Sequence, residues 1–584
     1  MTTPRHGRPW TLALPWGAAP ARAASWLPDI PIIFAGMGLF YGLLAFARYG
    51  AGPVNTQAEI QLSFRALPKY ALFSVARLAA AYFLSLIFTL LYGYAAAYNR
   101  KAERFLIPLL DTLQSIPVLS FLPGVMLAMV ALFPTRQLGV ELGAILLIFT
   151  GQAWNMTFSF YSSLKSIPME MREAAQVYGF SWWQRLLRLE LPYATIGLTW
   201  NSMMSVAGGW FFLMACEMFV LGNRDLRLPG LGSYLQTAAN AGDTRAILWG
   251  IAAMIAVIVL IDQLVWRPAI AWGERFKFEQ VEASQGARSP VLDLLRRSRA
   301  LALAGRISVK PLRERLDLYF ARKHAQARSG AAPRRLPVGL VRVLWGLAWL
   351  GVAYAAARIL WLFAGLTGQD LHRILAGASA TFIRVEATLA LAALWTIPAG
   401  VYIGLRPKAA AALQPIAQIA ASVPATALFP IVLLILMRWS GGLGIASIIL
   451  LLLGTQWYIL FNVIAGASAI PTDLKEVCGV FRFGRWERWR KLILPAIFPY
   501  LLTGFVTASG GAWNASIVAE YFHFKGRTLS ITGLGAVISH ATDTGNFRLL
   551  LAATAVMAVM VVTVNRLLWR RLYRLAETRF KLEG

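Results

Sequence analysis

Apolar runs of membrane length alternate with short polar breaks along almost the whole chain, and they fall into two sets of six. The first set predicts spans near residues 30–47, 70–97, 116–133, 139–163, 194–220 and 246–271. The second predicts spans near 339–365, 379–404, 415–437, 443–468, 496–521 and 547–569. Most of these runs approach or exceed the roughly 20 apolar residues that a helix needs to cross a bilayer core. The sets are copies of one another. At an offset of 303 residues Trp183 meets Trp486, Gly208 meets Gly511, Trp210 meets Trp513, Glu217 meets Glu520, Gly230 meets Gly533 and Arg267 meets Arg570. Upstream the offset is 307, pairing Arg77 with Arg384, Pro117 with Pro424 and Pro123 with Pro430, so four residues are missing from the loop between the third and fourth spans of the second copy. An even number of spans per copy inserts both in the same orientation, related by an axis along the membrane normal. The pattern therefore predicts an all-α polytopic membrane protein of about 12 transmembrane helices in two parallel six-helix repeats, residues 30–272 and 338–584, with a leading segment 1–29 and a linker 273–337.

Each repeat contains one polar stretch too long for a turn and too short for a domain, 167–192 in the first and 470–495 in the second. In the first, Ile167-Pro168-Met169-Glu170 leads to Glu173-Ala174-Ala175, then Gly179, then Leu191-Pro192. Proline near the start and acids in the first turn suit a short helix complemented to its own dipole. The second keeps Glu476 and Leu494-Pro495 at the same spacing, with Val477-Cys478 for the alanines, Gly479 within the stretch, and Arg482 where the first copy has Gly179. This spacing, Glu-Ala-Ala with Gly six and Pro nineteen residues after the Glu, resembles the coupling loop of binding-protein-dependent ABC importer permeases. The resemblance implies the type I importer permease fold. It also implies that Glu173, Ala174, Ala175, Gly179, Pro192, Glu476, Gly479 and Pro495 contact two ABC ATPase subunits, with ATP and Mg held by those partners. Arg482 departs from the pattern and sets the two loops apart.

Composition agrees with membrane residence: 58% hydrophobic residues and a mean hydropathy of +0.58 exceed, and 14% charged residues fall below, what a soluble chain of this length carries. The formal charge of +29 would suggest a nucleic-acid partner in a soluble protein, but here its placement decides. Arg5, Arg8 and Arg22 precede the first span; Arg100, Lys101 and Arg104 follow the second; Arg172, Arg185 and Arg188 follow the fourth; Arg267, Arg275 and Lys277 follow the sixth. The second repeat matches with Arg406 and Lys408, the run Arg482 to Lys491, and Arg566 to Arg574. All fall on one side under the six-span reading, which puts both termini, both polar stretches and the linker in the cytoplasm of a multi-pass protein, with no nucleic-acid partner. The linker, with 15 Lys or Arg against 6 Asp or Glu, reads as a cytoplasmic connection whose basic surface faces solvent or lipid headgroups.

The fifth span runs away from each polar stretch and carries Ala207-Gly208-Gly209-Trp210 in one copy and Gly510-Gly511-Ala512-Trp513-Asn514 in the other. Paired glycines permit close helix approach or face freed backbone groups toward a cavity, so Gly208, Gly209, Trp210, Gly510, Gly511, Trp513 and Asn514 are candidates for a pathway between the repeats. Glu217 and Glu520 follow. At 1.5 Å per residue Glu217 lies roughly 36 Å from Tyr193, at the far membrane interface, which suits a gate or an ion pair better than solute contact. Arg77 and Arg384 are candidate partners of those acids or attractors for an anion, with snorkelling to the headgroups the simplest expectation. Asp262, whose counterpart is Asn565, reads as a helix-packing residue.

Cys216 and Cys478 support neither a disulfide framework nor a thiolate metal site, and the five histidines show no ligand spacing and no catalytic pairing. The chain has no Gly-Lys dipeptide, hence no phosphate-cradling loop of the type that ends in Gly-Lys-Ser/Thr, and any nucleotide chemistry belongs to a separate polypeptide. Gly208 to Phe212, the run Leu228-Pro229-Gly230-Leu231-Gly232 and its partner Thr532-Gly533-Leu534-Gly535 look like the fused permeases grouped with nitrate, sulfonate and taurine importers. That likeness implies a bacterial inner-membrane permease for a small anion, working with an extracytoplasmic binding protein. A permease for another small solute, or a carrier driven by an ion gradient, shares the spans; the paired coupling loops favour the ATP-driven class.

Overall fold

The structure is a computed structural model that describes residues 29–53, 59–221, 224–276, 289–304, 306–307, 310–328, 338–436, 442–524 and 527–579. The expected N-terminal basic segment and the linker stretches 277–288 and 329–337 lie outside the described residues.

The first repeat runs α1 (Asp29–Ala51), α2 (Leu67–Tyr98), α3 (Arg100–Ser115), α4 (Leu122–Leu132), α5 (Leu138–Lys165), α6 (Met169–Val177), α7 (Trp182–Arg185), α8 (Leu191–Glu217), α9 (Leu231–Ala241), α10 (Thr244–Ile261) and α11 (Arg267–Gly273). The linker contributes α12 (Pro290–Arg297), α13 (Arg299–Ala304) and α14 (Lys310–Arg328). The second repeat runs α15 (Val338–Ala364), α16 (Gly368–Gly404), α17 (Pro407–Ser422), α18 (Ala425–Leu436), α19 (Gly442–Ser468), α20 (Thr472–Val480), α21 (Arg485–Arg488), α22 (Leu494–Ala519), α23 (Leu534–Asp543), α24 (Phe547–Val564) and α25 (Arg570–Arg579). From the polar stretches onward the two orders match at the 303 offset, and upstream α3 and α17 match at 307.

Each repeat packs as a three-helix core, α2 with α5 and α8, and α16 with α19 and α22. The helices are sorted for lipid. On α2 the residues Phe83, Ile87 and Leu91 stay exposed at four-residue spacing, while Ser74, Arg77, Ala81, Ser85 and Thr89 are buried. Small and polar side chains let the backbones approach and bond to each other, as Thr89 Oγ1 does to Thr157 Oγ1 at 3.1 Å, and large apolar ones face the hydrocarbon. The first helix of each repeat is peripheral, with Phe34, Met37 and Tyr41 of α1 and Leu347, Trp349 and Tyr354 of α15 exposed.

One boundary is corrected. The third span is short: α4 with its preceding 3-10 turn covers Val118–Leu132, and in the second repeat the described part of α18 is Ala425–Leu436, so that span does not start at 415. Residues 415–422 belong instead to α17, which stops at Ser422 before Val423-Pro424, because a residue preceding proline is driven out of the helical region. A hairpin follows span five in each repeat, Val220–Leu221 with Arg224–Asp225 and Tyr521–Phe524 with Arg527–Ser530.

The halves interlock: α18 and α17 of the second pack on α8 of the first, and the turn before α4 packs on α22. Spans three and five thus form the seam.

Candidate translocation pathway and coupling elements

The polar stretches fold as expected from their ends. α6 starts after Pro168 and stops at Tyr178; Gly179 then takes the left-handed conformation, φ +64. Gly179 N donates to Gln176 O at 3.0 Å and Phe180 N to Ala175 O at 3.0 Å, the pair of bonds that closes a Schellman C-cap. In the second copy Arg482 N donates to Gly479 O at 3.1 Å and Phe483 N to Cys478 O at 3.0 Å, with Arg482 itself at φ +50. The backbone is therefore retained where glycine is lost. Gly479 lies inside α20, opposite Gln176 rather than Gly179, so the left-handed position belongs to Arg482. Glu173, Ala174 and Glu476 are exposed, whereas Ala175 and Cys478 occupy the same buried position. Around the acids the surface is apolar: Val177 is 85% exposed and Tyr178 78%, and their counterparts Val480 80% and Phe481 69%. An exposed apolar patch of this kind makes both helices candidate docking faces.

Each short helix is joined to span five by a π turn, Leu186–Glu190 before α8 and Trp489–Ile493 before α22. Pro192 and Pro495 sit in the first turn of the following helix. Such turns add a backbone joint that the residue pattern does not announce.

Span five leads to a cavity of about 120 Å³ between the repeats. Gly208, Gly511 and Asn514 line it, together with the Val423-Pro424-Ala425 break that ends α17. A Cβ on Gly208 would meet only Tyr458 Oη, at 3.5 Å. Asn514 holds the seam, its Oδ1 accepting from Leu119 N at 3.4 Å and its Nδ2 donating to Gly510 O at 3.0 Å. The remaining polar lining is Asn155, Ser205, Gln418 and Tyr458, and no lining residue is charged. Gly209, Trp210 and Trp513 do not reach this cavity. The tryptophans are buried at 2% and 0% exposure, and a Cβ on Gly209 would press on the Gln152 amide and Leu78, so these residues serve helix packing. Gly510 faces open space outside the lining.

Glu217 and Arg77 meet, but not at a surface. Arg77 is fully buried and bidentate to Glu141, Nε to Oε2 and Nη2 to Oε1 both at 2.7 Å, while its Nη1 donates to Glu217 Oε1 at 2.8 Å. Snorkelling is therefore excluded. Ser74 Oγ donates to Glu217 at 2.7 Å, and Glu217 Oε2 accepts Gly232 N at 2.7 Å, capping α9. The second repeat rebuilds the arrangement. Thr381 Oγ1 donates to Glu520 at 2.8 Å, Gly535 N donates to Glu520 at 2.8 Å, and Arg384 donates to Glu520 and to Thr532 O. A side chain on Gly230 or Gly533 would collide with these carboxylates, which is why the loops before α9 and α23 carry glycine there. The clusters tie spans two and five to the short helices α9 and α23, and in the first repeat to span four through Glu141, at the end remote from the polar stretches, and the cavity between the repeats carries no charged lining residue. Sequence reading missed Ser74, Thr381 and Glu141. The first two were detectable, since they meet at the same 307 offset as the arginines.

Beyond the clusters a second cavity of about 160 Å³ opens between the hairpins, where Gln236 Nε2 donates to His523 O at 3.0 Å across the seam. Asp543 accepts from Tyr521 Oη at 2.7 Å and pairs with His523 Nε2 at 3.0 Å. Its burial alone would raise the carboxyl pKa, but the His523 and Tyr521 bonds outweigh it and hold the carboxyl below its ordinary range. Asp262 lies beside Arg267 at 3.3 Å near the opposite end of span six, consistent with packing. Among the described residues no His, Cys, Asp or Glu cluster could hold a metal.

The family described as "Binding-protein-dependent transport system inner membrane component" matches the chain twice, over residues 85–265 and 396–581. Similar proteins include the nitrate import permease protein NrtB of Leptolyngbya laminosa, 29% identical over 32% of this chain and 64% of that protein. The bicarbonate transport system permease protein CmpB of Synechocystis sp. is 34% identical over 24% of this chain and 48% of its own length. The putative aliphatic sulfonates transport permease protein SsuC of Bacillus subtilis is 28% identical over 30% and 61%. The matches thus span about half to two thirds of these relatives.

Proposed function

The chain belongs to the binding-protein-dependent transport system inner membrane component family, as a fused, duplicated member, and on that premise we propose that it is the whole permease of an ATP-driven importer of a small anion. The observation that carries this reading is the repeated path from an exposed coupling helix, α6 or α20, through a π turn into α8 or α22, whose glycines line the cavity between the repeats. Two ATPase subunits dock on the coupling helices and hold ATP and Mg. Their approach and separation swing span five as a rigid body, and the seam opens alternately to each side. The basic clusters support a cytoplasmic position for the coupling helices, the linker and both termini.

The anion class rests on the relatives, whose names cover nitrate, bicarbonate and aliphatic sulfonates. The cavity itself offers neutral donors such as Asn155, Tyr458 and Asn514 and no fixed charge, so an extracytoplasmic binding protein makes the main selection between anions and these neutral groups refine it. The decisive experiment is reconstitution of the chain with its co-purified ATPase in proteoliposomes and a panel of nitrate, bicarbonate and organic sulfonates. ATP-dependent accumulation of one of them is expected; accumulation driven by an ion gradient without ATP would overturn the reading.

A further inference from the structure

The two coupling elements are fastened differently, and three independent differences have the same sense. First, the linker helix α14 lies against α7: the Phe320 ring packs 5.1 Å from Trp182 and 5.2 Å from Trp183, and Arg188 pairs with Asp317 at 3.2 Å. The counterpart tryptophan, Trp486, has no such cover and is 76% exposed. Second, the π turn of the first repeat carries an interior lock. Glu190 is fully buried and accepts from Arg185 Nε at 2.7 Å and from Tyr98 Oη at 2.6 Å, and Arg185 also reaches Tyr94 Oη at 3.1 Å. At the matching positions of the second repeat stand Ile493, Leu405 and Val401 beside Arg488, so the lock cannot form. Third, the first helix ends on an unstrained glycine, while the second ends on Arg482 in a conformation that L side chains disfavour.

We propose that the first coupling element is a fixed anchor, strapped to the permease by α14, and that the second is the moving lever through which ATPase motion reaches the pathway. Phe320 and Asp317 are positioning residues: they touch no solute and act through α7. The linker thereby acquires a role beyond joining the repeats, and its cover over Trp182 and Trp183 narrows the surface left for the first ATPase subunit. A carrier with two equal levers can be driven from either side. Here the stroke enters mainly through α20 and α22, and the partner subunit at α6 holds while the other moves. This inference rests on the ATP-driven reading above.

The test uses the full chain with its ATPase in proteoliposomes, carrying Cys478→Ala, which installs the residue that the first repeat has at the buried position. Parental ATP-driven uptake in that preparation establishes the underlying reading by itself; without it that reading fails, not the strap. In the first arm a short bifunctional thiol reagent joins Trp183→Cys to Phe320→Cys. Uptake close to the uncrosslinked rate is expected if the first element stays put, and a block of uptake on crosslinking overturns the proposal. In the second arm Phe320→Ala should raise ATP hydrolysed per solute moved by roughly fivefold, as release of a packed element between two positions predicts. Asp317→Arg should do the same, and pairing it with Arg188→Asp should restore the parental ratio. A merely structural α14 predicts a lower yield of complex with an unchanged ratio in every variant, and that result also overturns the proposal.

Discussion

Arg482 shows how a single backbone angle separates two copies of one motif. Left-handed conformation costs a side-chain-bearing residue about 1 kcal/mol relative to glycine, and the C-cap bonds on either side of it are intact. Arg482→Gly should therefore stabilise the purified chain by about that amount in a thermal scan, and Gly179→Arg should destabilise it by as much. No change in either variant would mean the strain is relieved elsewhere. The carboxylate clusters give a second residue-scale expectation. Glu520 is the carboxylate that meets Arg384, whereas Arg77 keeps Glu141 if Glu217 is removed. Stranding a buried charge costs about 3–5 kcal/mol. Glu520→Ala should thus abolish most of the monodisperse chain on size exclusion, and Glu217→Ala should cost visibly less; equal losses would contradict the role assigned to Glu141.

For the elements, the expectation concerns coupling. Glu173 and Glu476 are exposed in the apolar faces of α6 and α20, so reversing their charge should disturb ATPase docking without harming the fold. Glu173→Arg or Glu476→Arg is expected to hydrolyse ATP with transport reduced by tenfold or so, the effect of ~1.4 kcal/mol at an interface, and parental coupling in both would remove these helices from the mechanism. How far the elements were legible follows from what kind of signal specifies them. Span length, the Pro168 start and the Gly179 stop are local, and the chain writes them openly; even Arg482 was marked by its register. The break at Val423-Pro424 was hidden because α17 and α18 carry the apolar pattern on either side of it. The π turns and the packing of α14 were invisible for a different reason. One is a backbone choice within an unbroken helical pattern, and the other depends on contacts between Phe320 and tryptophans more than a hundred residues away.

Over the whole molecule, duplication was the most readable property and the source of most correct placement. It pairs spans, loops and the glycines of span five from the residues alone. It could not say which of those glycines face a cavity: Gly208 and Gly511 do, while Gly209, one step round the helix, packs against Gln152 and Leu78. Gly208→Leu or Gly511→Leu should lower uptake per assembled complex, and Asn514→Leu, which removes a seam bond as well as a polar lining group, should change which anion is preferred. Loss of complex in proportion to loss of uptake, with parental preference, would return these residues to packing alone. The orientation of the molecule is checked separately with Val480→Cys in the Cys478→Ala background. Protection from an impermeant thiol reagent in intact cells is expected, and labelling would invert the topology.

The arginines of the two clusters also bear on the order in which the chain is made. Arg77 enters the membrane 64 residues before Glu141 and 140 before Glu217. At a synthesis rate of about 5–20 residues per second, it waits roughly 3–13 seconds for its first partner. Arg384 has no counterpart of Glu141, since Gly444 occupies that register, and its carboxylate follows 136 residues later. Its wait is therefore about twice as long, roughly 7–27 seconds. Over that interval an uncompensated guanidinium burdens its helix, by less than the roughly 2.5–3.5 kcal/mol of a charge at the bilayer centre because the clusters lie toward the far interface. The second repeat therefore holds its arginine without its carboxylate for longer than the first does while the chain is made.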